Sequence, residues 1–256
     1  MFADLFTPTA HGLFGQLDAW VLLLVAAVAV LFGAAVQSMV GLGLGLVAAP
    51  VISFLDPTLM PGTLLITVIV LPVLTLVQEW RHVDWHGMLW AMPARVPGTI
   101  AGVGVVALLD PRALAAFIGV MVLVAVALTL WSFKVRITRS SLVAAGLLSG
   151  FAGTATSVGG PPMALLYQNE SPEKVRASLA AFFLFGGVFS VVALAVGGQI
   201  DVRTTAAGII LIPFVGLGFI LGARVRRRVD PGRMRTILLS VVTASALGLL
   251  GQAVLR

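Results

Sequence analysis

Two apolar runs, residues 19–55 and 141–168, are each too long for one helix across a bilayer, and glycine and proline interrupt both. Unbroken, they would measure about 55 Å and about 42 Å, against a hydrocarbon core of about 30 Å. The first contains Gly41-Leu42-Gly43-Leu44-Gly45 and then Pro50. The second contains Gly153-Thr154-Ala155-Thr156-Ser157-Val158-Gly159-Gly160-Pro161-Pro162. Glycine frees the backbone, and proline removes an N–H and crowds the preceding turn, so such strings end helices. Within lipid, a break survives only where protein or water covers the freed backbone groups. The sequence therefore predicts two interrupted segments buried inside a membrane protein.

The remaining apolar runs, 60–77, 85–109, 112–133, 177–197, 204–223 and 234–255, each suit a single crossing. Only 10% of the residues are charged, and mean hydropathy is +1.10, whereas soluble domains carry about 25% charged residues. An all-α integral membrane protein, multi-pass in a cell membrane of bacterial inner-membrane type, is the fold class these numbers permit. The chain has no cysteine, which excludes disulfides and thiolate metal sites. The net charge of +6 lies between apolar runs without interleaved aromatics, so it reads as a topology signal rather than a nucleic-acid surface. The first residues, with Asp4 and no basic stretch, do not read as a signal peptide. Membrane lipid is an expected partner, and no cofactor or metal is expected.

The chain also repeats itself. Met92-Pro93, Gly98, Gly102 and Asp110-Pro111 recur as Ile212-Pro213, Gly218, Gly222 and Asp230-Pro231, at an offset of 120. The two breaks fall near the same offset, so residues 1–135 and 136–256 share one plan. Charge then separates two topologies. If each broken run crosses once, the Lys and Arg residues divide 9 to 6 between the two sides. If each enters and leaves on one side, they divide 12 to 3. Cytoplasmic loops carry excess Lys and Arg, so the second is favoured. The expectation is two inverted repeats, each a broken, re-entrant helix hairpin followed by three transmembrane helices, with both termini external.

The string from Gly33 through Gln37 and Gly41-Leu-Gly43-Leu-Gly45 to Pro50 resembles the first signature of the sulfite exporter TauE/SafE family. Ser149-Gly150 through Gly153-Thr154, Thr156-Ser157 and Gly159-Gly160 to Pro161-Pro162 resembles the second. The likeness extends over nearly the whole chain. It implies a membrane permease for sulfite, organosulfonates or other small organic anions.

The breaks supply a reason for an anion. A helix N-terminus inside the membrane presents free N–H groups and the positive end of its dipole. Transporters built from inverted repeats use such ends near the midplane. Gly41, Gly43 and Gly45 in the first break, and Gly159 and Gly160 in the second, would let a ligand approach the backbone. Gln37 and Ser38, and Thr154, Thr156 and Ser157, add donors for oxyanion oxygens. The alternative is that these small residues only allow close helix packing. On the cradle reading, Thr156→Val weakens binding more than stability. Arg95, about ten residues into an apolar run, either attracts the anion or snorkels to the interface.

The leading expectation is a secondary transporter exporting sulfite or a small organosulfonate or carboxylate by alternating access, one half rocking against the other. A passive anion channel is the alternative. An enzyme is not expected: no HExxH or GxSxG occurs, and His11, His82 and His86 all lie near run ends. Proton coupling, for which Glu79, Arg81, His82, Asp84 and His86 offer groups, and a homodimer remain open.

Overall fold

The computed structural model describes residues 19–130, 135–225 and 231–255, with side-chain surroundings in the last helix described over 239–251. Lys134, Arg226, Arg227, Arg228 and Arg256, used in the charge count, and Asp4, His11 and Asp230 lie outside the described residues. The described chain is helical throughout. Six stretches are long and apolar enough to cross a membrane: Trp20–Val40, Gly62–His82, Trp85–Leu108, Pro111–Leu130, Pro172–Val196 and Val202–Val225. The protein is a multi-pass membrane protein.

The first long run is two helices, α1 (Ala19–Val40) and α2 (Leu44–Leu55). Their junction turns back on itself. Gly33 on α1 lies against Leu44 and Val47 on α2, and Leu22 and Ala26 line a small hollow with Ile52 and Leu55. The end of α2 therefore lies beside the start of α1. The run 60–77 is α3 (Gly62–Val68) and α4 (Val70–Glu79), parted at Ile69. Pro72 explains the parting, because its ring crowds the carbonyl four residues earlier. The backbone of Ile69 stays helical, at φ −58° and ψ −34°, so both pieces form one crossing. Two further helices follow, α5 (Trp85–Leu108) and α6 (Pro111–Leu130).

The second half of the chain repeats this order with α7 (Arg139–Thr156), α8 (Gly160–Tyr167), α9 (Pro172–Val196), α10 (Val202–Val225) and α11 (Pro231–Leu255). Helix starts carry local caps. Asp84 accepts from the Gly87 N–H, Asp110 from the Arg112 and Ala113 N–H groups, and Ser171 from the Lys174 N–H. Thr138 and Ser141 form a reciprocal capping box at α7. α8 also folds back: Gly159 rests against Ser149 and Gly153 of α7. The Tyr167 hydroxyl at its end donates to Asp84, before α5, at 3.0 Å.

Two seams hold the helices together. α1 runs parallel to α10, with Gly218 against the Leu31 carbonyl and Gly222 against the Ala35 carbonyl. α5 runs parallel to α7, with Gly146 against the Ala91 carbonyl and Gly150 against the Arg95 carbonyl. On the α5 side of that seam, Gly98 meets the Leu147 carbonyl and Gly102 meets Phe151. Backbone meets backbone in both seams, the arrangement that small residues permit where no hydrophobic drive separates helix from lipid. Ion pairs fasten the ends: Arg203 at the start of α10 to Asp56 after α2 at 2.6 Å, and Arg176 on α9 to Glu79 at the end of α4 at 2.6 Å.

A seam this close predicts a sharp contrast between glycines. Gly146→Ala forces the α5 and α7 backbones apart and is expected to cost about 1–3 kcal/mol. Gly104→Ala, where an added Cβ meets nothing within 4 Å, is expected to be neutral or slightly stabilising because alanine favours helix. Thermal unfolding of the two purified variants in detergent checks this, and equal stabilities would contradict the seam.

Candidate functional site

Both breaks expose backbone, and each is covered differently. At the first, Gly41 and Gly43 take φ values of 91° and 152°, which side-chain-bearing residues rarely adopt. The reversal lets Gln37 aim its amide carbonyl at the Leu44 N–H, 2.9 Å away. Gln37 thus caps α2, seven residues on in sequence, and keeps its NH2 group as a donor. With Gly43 as the N-cap, the Gly45 and Leu46 N–H groups have no partner within the helix. Both residues line a central cavity.

At the second break, Ser157 ends α7 in the left-handed conformation, at φ 61°. Its hydroxyl donates to the Pro61 carbonyl at 3.1 Å. The Thr156 hydroxyl donates to the Ala152 carbonyl at 2.7 Å and accepts from the Val158 N–H at 3.2 Å. Pro161 and Pro162 open α8 and have no N–H. The first turn of α8 therefore offers only the Gly159 and Gly160 amides, fewer than an ordinary helix start. The breaks meet directly, since a Cβ on Gly45 would collide with the Ser157 carbonyl.

Between them lies a cavity of about 50 Å³. Gln37, Gly43, Gly45, Arg95, Ser157, Gly159 and Gly160 line it, together with Leu46, Leu65, Val68, Phe183 and Gly187. Four residues expected at the site lie elsewhere. Gly41 packs against Arg176 and Leu179. Ser38 donates to the Ala35 carbonyl at 2.8 Å and sits beside Gly222. The Thr154 hydroxyl is shared with Thr99 at 3.2 Å and Ser190 at 2.8 Å, forming a buried knot among α5, α7 and α9. Thr156 is fully buried within its own turn.

Arg95 is the cavity's charged residue. It is 2% exposed, so it does not reach the surface. Its guanidinium carbon stands 4.6 Å from the centre of the Phe182 ring, and Nη1 donates to the Phe182 carbonyl at 3.4 Å. Nε has no hydrogen-bond partner. Arg95 makes no ion pair with a described carboxylate. A buried cation without a counter-ion is costly unless an anion joins it. Among the described residues, no group of three or more His, Asp or Glu could hold a metal.

A second, larger cavity of about 360 Å³ adjoins the first. It opens between the ends of α1 and α6, α8 and the start of α9, and shares Leu42 and Pro161 with the central one. Met39, Leu128, Leu165, Gln168 and Arg176 also line it. The polar residues around α5's start are tied into structure: Glu79 to Arg176, and Asp84 to Tyr167, Gly87 and the Ser178 hydroxyl. Arg81, His82 and His86 are exposed. Phe182, Thr99 and Ser190 escaped the reading of the sequence. The Gly186-Gly187 pair inside an apolar run, four and five residues after Phe182, was the available signal for a close approach on α9.

Six stretches long and apolar enough to cross a membrane, two helix breaks that meet and a buried arginine at their junction describe a membrane protein with a cationic central cavity. The family comparison agrees: the sulfite exporter TauE/SafE model matches residues 9–249, and the chain belongs to that family. It is accordingly a membrane anion exporter by family. No curated protein and no solved structure matches the chain significantly.

The bonds of Thr156 shift the expected effect of its substitution from binding to stability. Thr156→Val removes the acceptor of the buried Val158 N–H, at a cost of about 1–3 kcal/mol. A lowered unfolding temperature with unchanged anion affinity is the expected result. Weaker affinity at unchanged stability would return the hydroxyl to the cavity wall.

Proposed function

We propose that the chain is a secondary carrier that holds a small oxyanion, sulfite or the head of an organosulfonate or carboxylate, where the two breaks meet. The observation that carries this reading is Arg95: buried, without a partner among the described carboxylates, and lining the same cavity as Gly45 and Leu46 at the start of α2. Its charge, the Gly45 and Leu46 amides and the Gln37 NH2 all suit an acceptor-only ligand. The size fits as well. A water-sized atom needs about 10–15 Å³ of such space, so a cavity of about 50 Å³ admits about four heavy atoms. A volume of that size supports a carrier that holds one small anion at a time, in place of the continuous wet pore a channel requires.

The helix directions support an inverted repeat of residues 1–135 and 136–256. α1 begins at the face where α2 ends and α10 starts, and α7 begins at the face where α8 ends and α5 starts. The three stretches of crossing length between α2 and α7 support opposite sides for these two faces. Arg81, Arg136, Arg139, Lys174 and Arg176 gather on the second face, and Arg112 and Arg203 on the first, which supports a cytoplasmic second face. The larger cavity opens there and serves as the route by which a cytoplasmic anion reaches the centre, past Leu42. Alternating access would then open the Asp56–Arg203 face.

Two measurements test the reading. In proteoliposomes with labelled sulfite, Arg95→Gln is expected to raise the apparent KM by about tenfold or more and to flatten its dependence on ionic strength. Wild-type affinity across a salt series would remove Arg95 from the site. The absence of native cysteine gives a clean background for the second. Leu165→Cys should react with a membrane-impermeant thiol reagent from the cytoplasmic face only, and reaction from the opposite face would reverse the proposed access.

A further inference from the structure

Arg95 is carried by α5 but held by α9. Its guanidinium crosses to the turn of α9 between Phe182 and Gly186, which share one helix face four residues apart. The Phe182 ring lies under the cation at 4.6 Å, and the Phe182 carbonyl accepts from Nη1 at 3.4 Å. The guanidinium fills the space that a Gly186 side chain would need: a Cβ there would collide with Cζ, Nε and Nη1. From α7, an added Cβ on Gly153 would come within 3.1 Å of Nη2. None of these contacts is a carboxylate, and Nε stays without a partner.

A carboxylate would hold the guanidinium as firmly, but it would neutralise the charge and compete with a bound anion. A ring face, one carbonyl and a glycine notch hold it with the charge left available. We infer that Gly186, together with Phe182, is a positioning element for anion binding: the notch in α9 fixes where the Arg95 charge stands relative to the cavity. The inference rests on the proposed role of Arg95. It adds that a residue without a side chain, on a different helix and 91 positions later in the chain, controls affinity through it.

The test is a double-variant cycle on Gly186→Ala and Arg95→Gln, read by labelled-sulfite transport in proteoliposomes and by thermal unfolding in detergent. Gly186→Ala alone is expected to displace the guanidinium. It should raise KM by about tenfold, change maximal rate far less, and flatten the ionic-strength dependence. Added to Arg95→Gln, it should change KM by less than about twofold, because the group it acts through is gone. Phe182→Leu, which removes the ring but keeps an apolar side chain, should raise KM in the same direction by a smaller factor. Should Gly186→Ala alone fold poorly, Gly186→Ala with Arg95→Ala is expected to recover stability, since the colliding group is removed. A wild-type KM for Gly186→Ala, KM effects that multiply in the double variant, or an equal loss of stability in both backgrounds would overturn the inference. If Arg95→Gln itself binds sulfite normally, the proposed function loses its charged group, yet the stability cycle still reports whether the notch holds the arginine.

Discussion

A backbone N–H or C=O released inside a membrane has no water to turn to, and every part of this architecture answers that constraint. Two helices stop midway and release such groups. The breaks press on each other, Gly45 against the Ser157 carbonyl, and the Ser157 hydroxyl donates to the Pro61 carbonyl just before α3. Gln37 and Thr156 take up one amide apiece from the chain that follows them. Gly45, Leu46, Gly159 and Gly160, whose amides have no partner within their helices, line a cavity together with Arg95, which pairs with no described carboxylate. The requirement that protects the breaks from lipid thus gathers donors at one central point.

The two breaks are unequal partners there. The start of α2 keeps a full set of N–H groups, of which one is capped. The start of α8 loses two to Pro161 and Pro162. In the proposed site, dipole and amide donation toward an anion would come mainly from the first half of the chain, which also contributes Arg95, while the second half would contribute the wall and the notch beside the arginine. A site made from two similar segments is therefore electrostatically lopsided, with its positive groups drawn from α1, α2 and α5.

Much of the fold was legible because the signals were local. Run lengths, glycine strings and prolines act within a turn or two of themselves, so the breaks at Gly41–Gly43 and Ser157–Gly159 follow from the sequence. The site was legible only in part. Gln37, Gly43, Gly45, Arg95, Ser157, Gly159 and Gly160 meet at the cavity, but Ser38, Thr154 and Thr156 spend their hydroxyls elsewhere. A hydroxyl beside a break has many competing acceptors, and which one it finds depends on helices distant in sequence. Thr154 turns to Thr99 and Ser190, 55 and 36 residues away. The same distance hid the seating of Arg95: nothing near residue 95 announces Phe182 or Gly186. The double proline was visible, but its chemistry runs against the cradle, since proline subtracts donors.

The glycine seams constrain how such a molecule can change shape. Where carbonyl oxygens press on glycine backbones, as Leu31 does on Gly218 and Ala91 on Gly146, little room is left for one helix to slide along its neighbour. On the alternating-access reading, α1 with α10 and α5 with α7 would travel as two bodies. Each of these bodies takes one helix from the first half of the sequence and one from the second. For a carrier that works by the proposed alternating access, the moving pieces would then run crosswise to residues 1–135 and 136–256, and the boundary that opens would lie between the seams.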